Sequence, residues 1–220
     1  MTTSRKHALA TIDNLLGVST TLAILAVLAI WLDAAIVEAI DGHLTPALDE
    51  FFDDVSGVAD ASVFAIIALS TYGASRVAIA LPVTQRWRPL CERARRGSLL
   101  MLLTLLTGGL ITLALKHVVA RARPSMLLEH GHYGVSTPFI GSPFNSFPSS
   151  HALTAFAVAC VLAHLLPAWR APLLVLAAIA SLCRVLTLEH FPSDVLASAF
   201  IAAWCVRLWA PRVQGTEFRN

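Results

Sequence analysis

Six apolar runs alternate with short polar stretches along the chain: roughly Leu15 to Leu32, Ala61 to Leu81, Ser98 to Val119, Ser149 to Leu166, Pro172 to Leu188 and Val195 to Ala210. Most approach the length of about 20 residues that a helix needs to cross a bilayer, and flanking polar residues extend the shorter ones. The pattern predicts an all-α, polytopic membrane protein with six transmembrane helices. The stretch from Asp33 to Asp60 differs: Leu44, Leu48, Phe51, Phe52 and Val55 recur at near-helical spacing among Asp49, Glu50, Asp53 and Asp54. That spacing predicts a short interfacial helix. With no internal repeat and no long hydrophilic segment, residues 1–220 read as a single transmembrane domain.

Composition agrees, since 56% of the 220 residues are hydrophobic and only 14% are charged, with a mean hydropathy of +0.70; such values mark integral membrane proteins. A net charge of +2 excludes the broad basic surface of a nucleic-acid binder. Ser4-Arg5-Lys6-His7 ahead of the first run imitates a secretory signal, with Val37-Glu38-Ala39 a poor cleavage site; the run length and the spans that follow predict a retained anchor. Cys91, in a basic connection, and Cys160, Cys183 and Cys205, in apolar runs, have no metal or redox spacing and read as free thiols.

Charge placement orients the spans. The connection after the second run holds Arg86, Arg88, Arg93, Arg95 and Arg96, whereas Asp33 to Asp60 holds eight acids and no Lys or Arg. The positive-inside rule puts the basic connection in the cytoplasm, together with both termini and Arg170, Arg212 and Arg219.

Three polar clusters then fall at span ends on the opposite face: Lys116 with Arg123-Pro124, Pro148-Ser149-Ser150-His151, and Arg184 with His190 and Asp194. They supply what phosphoryl transfer requires. Arg123 and Arg184 offer planar donor forks for phosphate oxygens, and Lys116 adds a point charge. Ser149 adds a hydroxyl, and the helix start after Pro148 offers free N–H groups, that of Ser150 included. His190 is placed to attack phosphorus with Asp194 orienting its ring, and His151 to protonate the leaving oxygen.

Taken singly, each residue also fits a structural role: Lys116 and Arg123 as snorkelling anchors, Ser149 and Ser150 as caps, Asp194 as a first-turn helix-dipole residue, either histidine as a hydrogen-bonded interfacial residue, and Arg184 in an ion pair with Glu189 or Asp194. The joint arrangement resembles the type 2 phosphatidic acid phosphatase (PAP2) superfamily, whose signature reads K-x6-RP, PSGH and SR-x5-H-x3-D. The first part is complete in Lys116 to Arg123-Pro124. The second has Ser150 in place of Gly, and the third has Cys183 in place of Ser. Motif matches run from Lys116 to Asp194.

The resemblance implies a metal- and cofactor-independent membrane phosphatase of a bacterial-type inner membrane. In it His190 forms a phosphohistidine, Asp194 orients it and His151 acts as acid and then activates water. Lys116, Arg123, Ser149, the Ser150 backbone and Arg184 form the phosphate pocket. Undecaprenyl diphosphate, phosphatidylglycerol phosphate, phosphatidic acid and lipid A phosphates are the implied substrates. Three alternatives stand beside hydrolysis: transfer of phosphate from the same histidine to a second lipid, non-catalytic lipid-phosphate binding or transport, and a metal site at Glu129-His130-Gly131-His132. Ser150 raises the question of positive φ where glycine is usual, and Cys183 donates more weakly than serine.

Overall fold

The computed structural model describes residues 17–81 and 86–214, so the N-terminal basic group and Arg219 lie outside the described residues. Its helices are α1 (Gly17–Ile40), α2 (Pro46–Gly57), α3 (Ala61–Ala80), α4 (Arg88–Val119), α5 (Pro124–His130), α6 (Ser150–Leu165), α7 (Arg170–Leu186) and α8 (Pro192–Gln214). Among the described residues the only β pairing is the isolated bridge between Arg121 and Val135. Five stretches are long and apolar enough to cross a membrane, and α6 is a sixth, shorter apolar helix. The multi-span, all-helical architecture expected from the apolar runs is the one observed.

Two boundaries differ from the sequence reading by eight residues or more, both because polar residues extend helices. The first span runs on through Asp33 to Ile40; Asp33 is fully buried instead of sitting in an acidic loop. Arg88, Arg93, Arg95 and Arg96, and Cys91 with them, belong to the first turns of α4 and not to a connection. With 32 residues, α4 is about 48 Å long at 1.5 Å per residue. It exceeds a hydrocarbon core of about 30 Å, so its basic turns stand clear of the apolar layer.

The interfacial helix appears as α2. Pro46 occupies its first turn and the Thr45 hydroxyl accepts from the Leu48 N–H at 3.4 Å, two start signals acting together. Asp60 caps α3 in the same way, accepting from the Ser62 N–H at 2.7 Å. α2 packs on α7, which brings its acidic face to the bundle end where the signature residues emerge.

α6 forms the centre, packed by α4, α7 and α8. Its buried face is rich in alanine (Ala152, Ala157, Ala159, Ala163) and meets Leu100, Met101, Val206 and Ala202. Close approach to α4 depends on two glycines on one α4 face. A Cβ on Gly108 would sit 3.1 Å from Leu153 Cδ1, and one on Gly97 would sit 2.7 Å from Leu165 Cδ1. Small residues at helix contacts are how membrane helices gain dispersion contacts when lipid removes the hydrophobic drive. The outward faces carry large apolar side chains such as Ile66, Leu106, Leu110 and Ile179, each more than half exposed and suited to lipid.

Candidate active site

Four helix ends converge at one end of the bundle. α4 finishes beside Lys116, α6 begins at Ser150, α7 finishes beside Arg184 and α8 begins at Pro192. All eight sequence-predicted residues therefore reach the same face, as the span order requires.

α6 starts just after a bend at Phe147-Pro148. Ser149 is its cap, with the hydroxyl accepting from the Ala152 N–H at 3.4 Å, and it is fully buried. Ser150 opens the helix and is exposed, while His151 is half-buried. Among the described residues the non-glycine positions with positive φ are Ala120, Phe139 and Leu188. Ser150 is not among them, so replacing the family's glycine there demands no left-handed backbone. Cys183 is buried in α7.

The cations are held in place by polar partners. Lys116 Nζ donates to the Asn145 carbonyl at 2.6 Å, and Arg123 Nε donates to Asn145 Oδ1 at 2.9 Å. Arg123 Nη1 also pairs with Glu189. Arg184 Nη1 donates to Asp53 Oδ1 of α2 at 2.6 Å and to Ser56 Oγ at 3.1 Å, and its Nη2 lies 3.6 Å from Glu189 Oε2. The ion pair of Arg184 with Glu189 is thus present, whereas its alternative partner Asp194 is engaged elsewhere. Glu189 bridges the two arginines, and its carboxylate lies between them.

His190 lies just outside α8 and is 3% exposed. Its Nδ1 is 3.7 Å from Asp194 Oδ2 and has no hydrogen-bond partner among the described residues. The expected Asp-to-imidazole hydrogen bond is therefore open by about half an ångström or more relative to hydrogen-bond distance. The Asp194 carboxylate is occupied: Oδ1 accepts from Arg121 Nη1 at 2.6 Å, and Oδ2 accepts from Ser146 Oγ at 2.5 Å and from the Phe191 N–H at 3.0 Å. With Nδ1 on the Asp194 side, Nε2 is the nitrogen free for chemistry. Burial, helped by the Lys116 and Arg123 cations and opposed by Asp194, holds the His190 pKa below the usual imidazole range.

Behind Asp194 lies a buried charge network that the sequence reading does not contain. Arg121 is sandwiched between two carboxylates, donating through Nη1 to Asp194 and through Nη2 to Asp33 Oδ2 at 2.8 Å. It also donates to Ser193 Oγ at 2.7 Å and Tyr133 Oη at 2.9 Å, and its guanidinium carbon lies 4.4 Å from the Phe191 ring centre. The Ser193 N–H donates to Asp33 Oδ1 at 3.0 Å and its hydroxyl donates to Oδ2 of the same residue. Burial alone would lower the Arg121 pKa, and the Asp194 and Asp33 carboxylates more than reverse this.

Asp33 follows a π-helical turn over Leu28–Leu32, and the Tyr133 hydroxyl donates to the Ala29 carbonyl in that turn. An ionisable residue within an apolar run is itself a sign of function, and Asp33 carries that sign in the sequence. Arg121 has no such mark beside Arg123.

In the Glu129-His130-Gly131-His132 segment, the His132 ring packs edge-on against Phe144 with centres 5.7 Å apart. No group of three or more metal-type ligands forms among the described residues.

A stretch of 102 residues is 36% identical to a lipid A 1-phosphatase from Rhizobium johnstonii, covering 46% of this chain and 41% of that protein. A lipid A 1-phosphatase from Rhizobium etli is 35% identical over the same length, with 46% and 44% covered. The matched stretch thus spans about two fifths of these relatives. A crystal structure of a transmembrane PAP2-type phosphatidylglycerolphosphate phosphatase from Bacillus subtilis superposes with a TM-score of 0.63 at 20% identity, over 91% of this chain and 96% of that one. Aquifex aeolicus LpxE gives 0.52 at 22% identity, over 80% and 93%. These two structures share the fold. Residues 97–219, more than half of the sequence, match the PAP2 superfamily, and the chain belongs to that superfamily.

Proposed function

We propose that the protein is a membrane lipid phosphatase that hydrolyses a lipid phosphate or diphosphate through a phosphohistidine on His190. The observation that carries this reading is the meeting of Lys116, Arg123 and Arg184 with His151 and a buried His190 whose Nδ1 faces Asp194. Binding alone needs the cations; a nucleophile backed by a carboxylate is needed only for turnover.

In the proposed reaction, the phosphoryl group displaces Glu189 from between Arg123 and Arg184. Lys116, the Ser149 hydroxyl and the Ser150 N–H take up further phosphoryl oxygens. Asp194 closes on the Nδ1–H and stabilises the ring as it becomes positive. Nε2 forms the N–P bond while the P–O bond to the lipid breaks, and His151 donates its proton to the leaving oxygen. The now neutral His151 takes a proton from water, whose oxygen attacks phosphorus. The N–P bond breaks, releasing phosphate and regenerating His190.

A site at a bundle end, between helices whose outer faces are apolar, suits a substrate with its headgroup at the interface and its tail in lipid. The lipid A 1-phosphatase relatives favour the lipid A phosphates among the four implied substrates. Both termini and the α4 basic turns are assigned to the cytoplasmic side of a bacterial-type inner membrane, and the site to the other side.

Phosphate release from a panel of lipid phosphates tests the reading. His190→Asn is expected to abolish release in the presence of excess chelator, and His151→Ala to accumulate labelled enzyme. Wild-type turnover by His190→Asn would end the phosphohistidine mechanism, and product formed only when an acceptor lipid is added would make the protein a phosphotransferase.

A further inference from the structure

A second polar site lies at the other end of the same three helices. A cavity of about 360 Å³ opens between α6, α7 and α8, and His164, Arg170 and Arg207 are among its lining residues. Each lies roughly thirteen or fourteen residues from an active-site residue on its own helix: His164 from His151, Arg170 from Arg184, and Arg207 from Asp194. At 1.5 Å per residue that is about 20 Å, most of the apolar thickness of a bilayer. The cavity therefore faces the opposite leaflet.

Its depth is marked by aromatic residues. Trp169, just before α7, is 62% exposed, and Trp209, in the last turns of α8, lies under the Arg212 guanidinium at 5.9 Å. Tryptophans near helix ends belong to the headgroup level. The cavity walls add Leu174 and Val206 to the three basic groups, an apolar side suited to a glycerol backbone beside a charged one.

Among the described residues the charge of Arg170 and Arg207 lacks an acidic counterpart. Arg207 lies within a membrane-spanning helix, where an arginine costs about 2.5–3.5 kcal/mol at the centre and less toward an end. Among the described residues neither it nor Arg170 forms an ion pair. Glu92, near the start of α4, is already paired with Arg88 at 3.3 Å. Basic pockets between helices at headgroup depth are recognition sites for anionic lipids. We propose that this cavity binds the phosphate headgroup of an anionic phospholipid from the leaflet opposite the active site, with Arg170 and Arg207 as its counter-charges.

The test uses the full chain, delipidated in detergent, titrated with phosphatidylglycerol, phosphatidylcholine or inorganic phosphate and read by native mass spectrometry and thermal melting. Phosphatidylglycerol is expected to bind and raise the melting temperature, and phosphatidylcholine to do neither. Arg170→Gln with Arg207→Gln should weaken phosphatidylglycerol binding at least about tenfold, whereas Lys116→Gln with Arg123→Gln, at the active site, should leave tight binding in place. Undiminished affinity in the Arg170/Arg207 variant, equal binding of phosphatidylcholine, or loss of tight binding in the Lys116/Arg123 variant would overturn the proposal. Millimolar inorganic phosphate reproducing the full melting shift would overturn the lipid assignment in favour of a soluble anion. Should the double variant fail to fold, Arg170→Gln alone, at the exposed start of α7, carries the comparison with an expected loss of about fivefold; unchanged affinity there would overturn the proposal equally.

Discussion

Glu189 stands beside the proposed nucleophile in sequence and between the two arginines of the proposed phosphate pocket in space. A substrate phosphate must displace it. Such partly exposed pairs are worth about 0.2–1 kcal/mol, so Glu189→Gln is expected to lower the inhibition constant for inorganic phosphate up to about fivefold. Inhibition measured against the preferred lipid phosphate checks this, and weaker inhibition would show that Glu189 organises the arginines instead of competing for them. His190 makes a second residue-scale prediction. Because burial holds its pKa below the ordinary value of about 6.5, the imidazole stays neutral and nucleophilic as pH falls through that value. The acidic limb of kcat/KM is therefore expected below about pH 6.5; a limb at or above it would contradict the burial argument.

At the scale of elements, Arg121 joins α1, the segment after α4 and the first turn of α8 through Asp33, Asp194 and Ser193. Removing one partner from a buried pair leaves an uncompensated charge and costs about 3–5 kcal/mol. Arg121→Gln is accordingly expected to lower the melting temperature and the turnover together. Arg121→Lys should rescue little, because one ammonium cannot reproduce a planar fork shared between two carboxylates. Melting and phosphate release on both variants check this, and a Lys variant equal to wild type would reduce the network to simple charge balance.

The same residues show what the sequence made legible. Lys116, Ser149, Arg184 and Asp194 could be placed on one face from the sequence because span order fixes which helix ends share a side. Arg121 and Asp33 could not be paired, since 88 residues separate them and nothing local relates an acid in the first helix to an arginine after the third long one. Helix boundaries shifted for a related reason: Asp33 to Ile40 remains helical because Asp33 finds a buried cation there, a tertiary effect that hydropathy does not record.

For the whole molecule the open quantity is orientation, and the structure sharpens the argument for it. Counting Lys and Arg at each end leaves ambiguity, because Lys116, Arg121, Arg123 and Arg184 gather at the active-site end. All four, however, are committed within the fold. Arg121, Arg123 and Arg184 pair with carboxylates, and Lys116 donates to a backbone carbonyl. At the opposite end Arg170 and Arg207 form no ion pair among the described residues, and α4 begins with a run of arginines set against Glu92. Arg170 and Arg207 thus put positive charge with no acidic partner among the described residues at the end remote from the site, and the positive-inside rule predicts that end to be cytoplasmic. A membrane-impermeant maleimide tests the orientation in a Cys160→Ser background, which removes the half-buried thiol beside the cavity, because Cys183 and Cys205 are buried and Cys91 lies in the first turns of α4. In intact cells Ser142→Cys, an exposed position beside the active site, is expected to label in a Cys91→Ser background. With Cys160→Ser as the only change, Cys91 should label only after permeabilisation. The reverse pattern would place the phosphatase site in the cytoplasm and restrict its substrates to the inner leaflet.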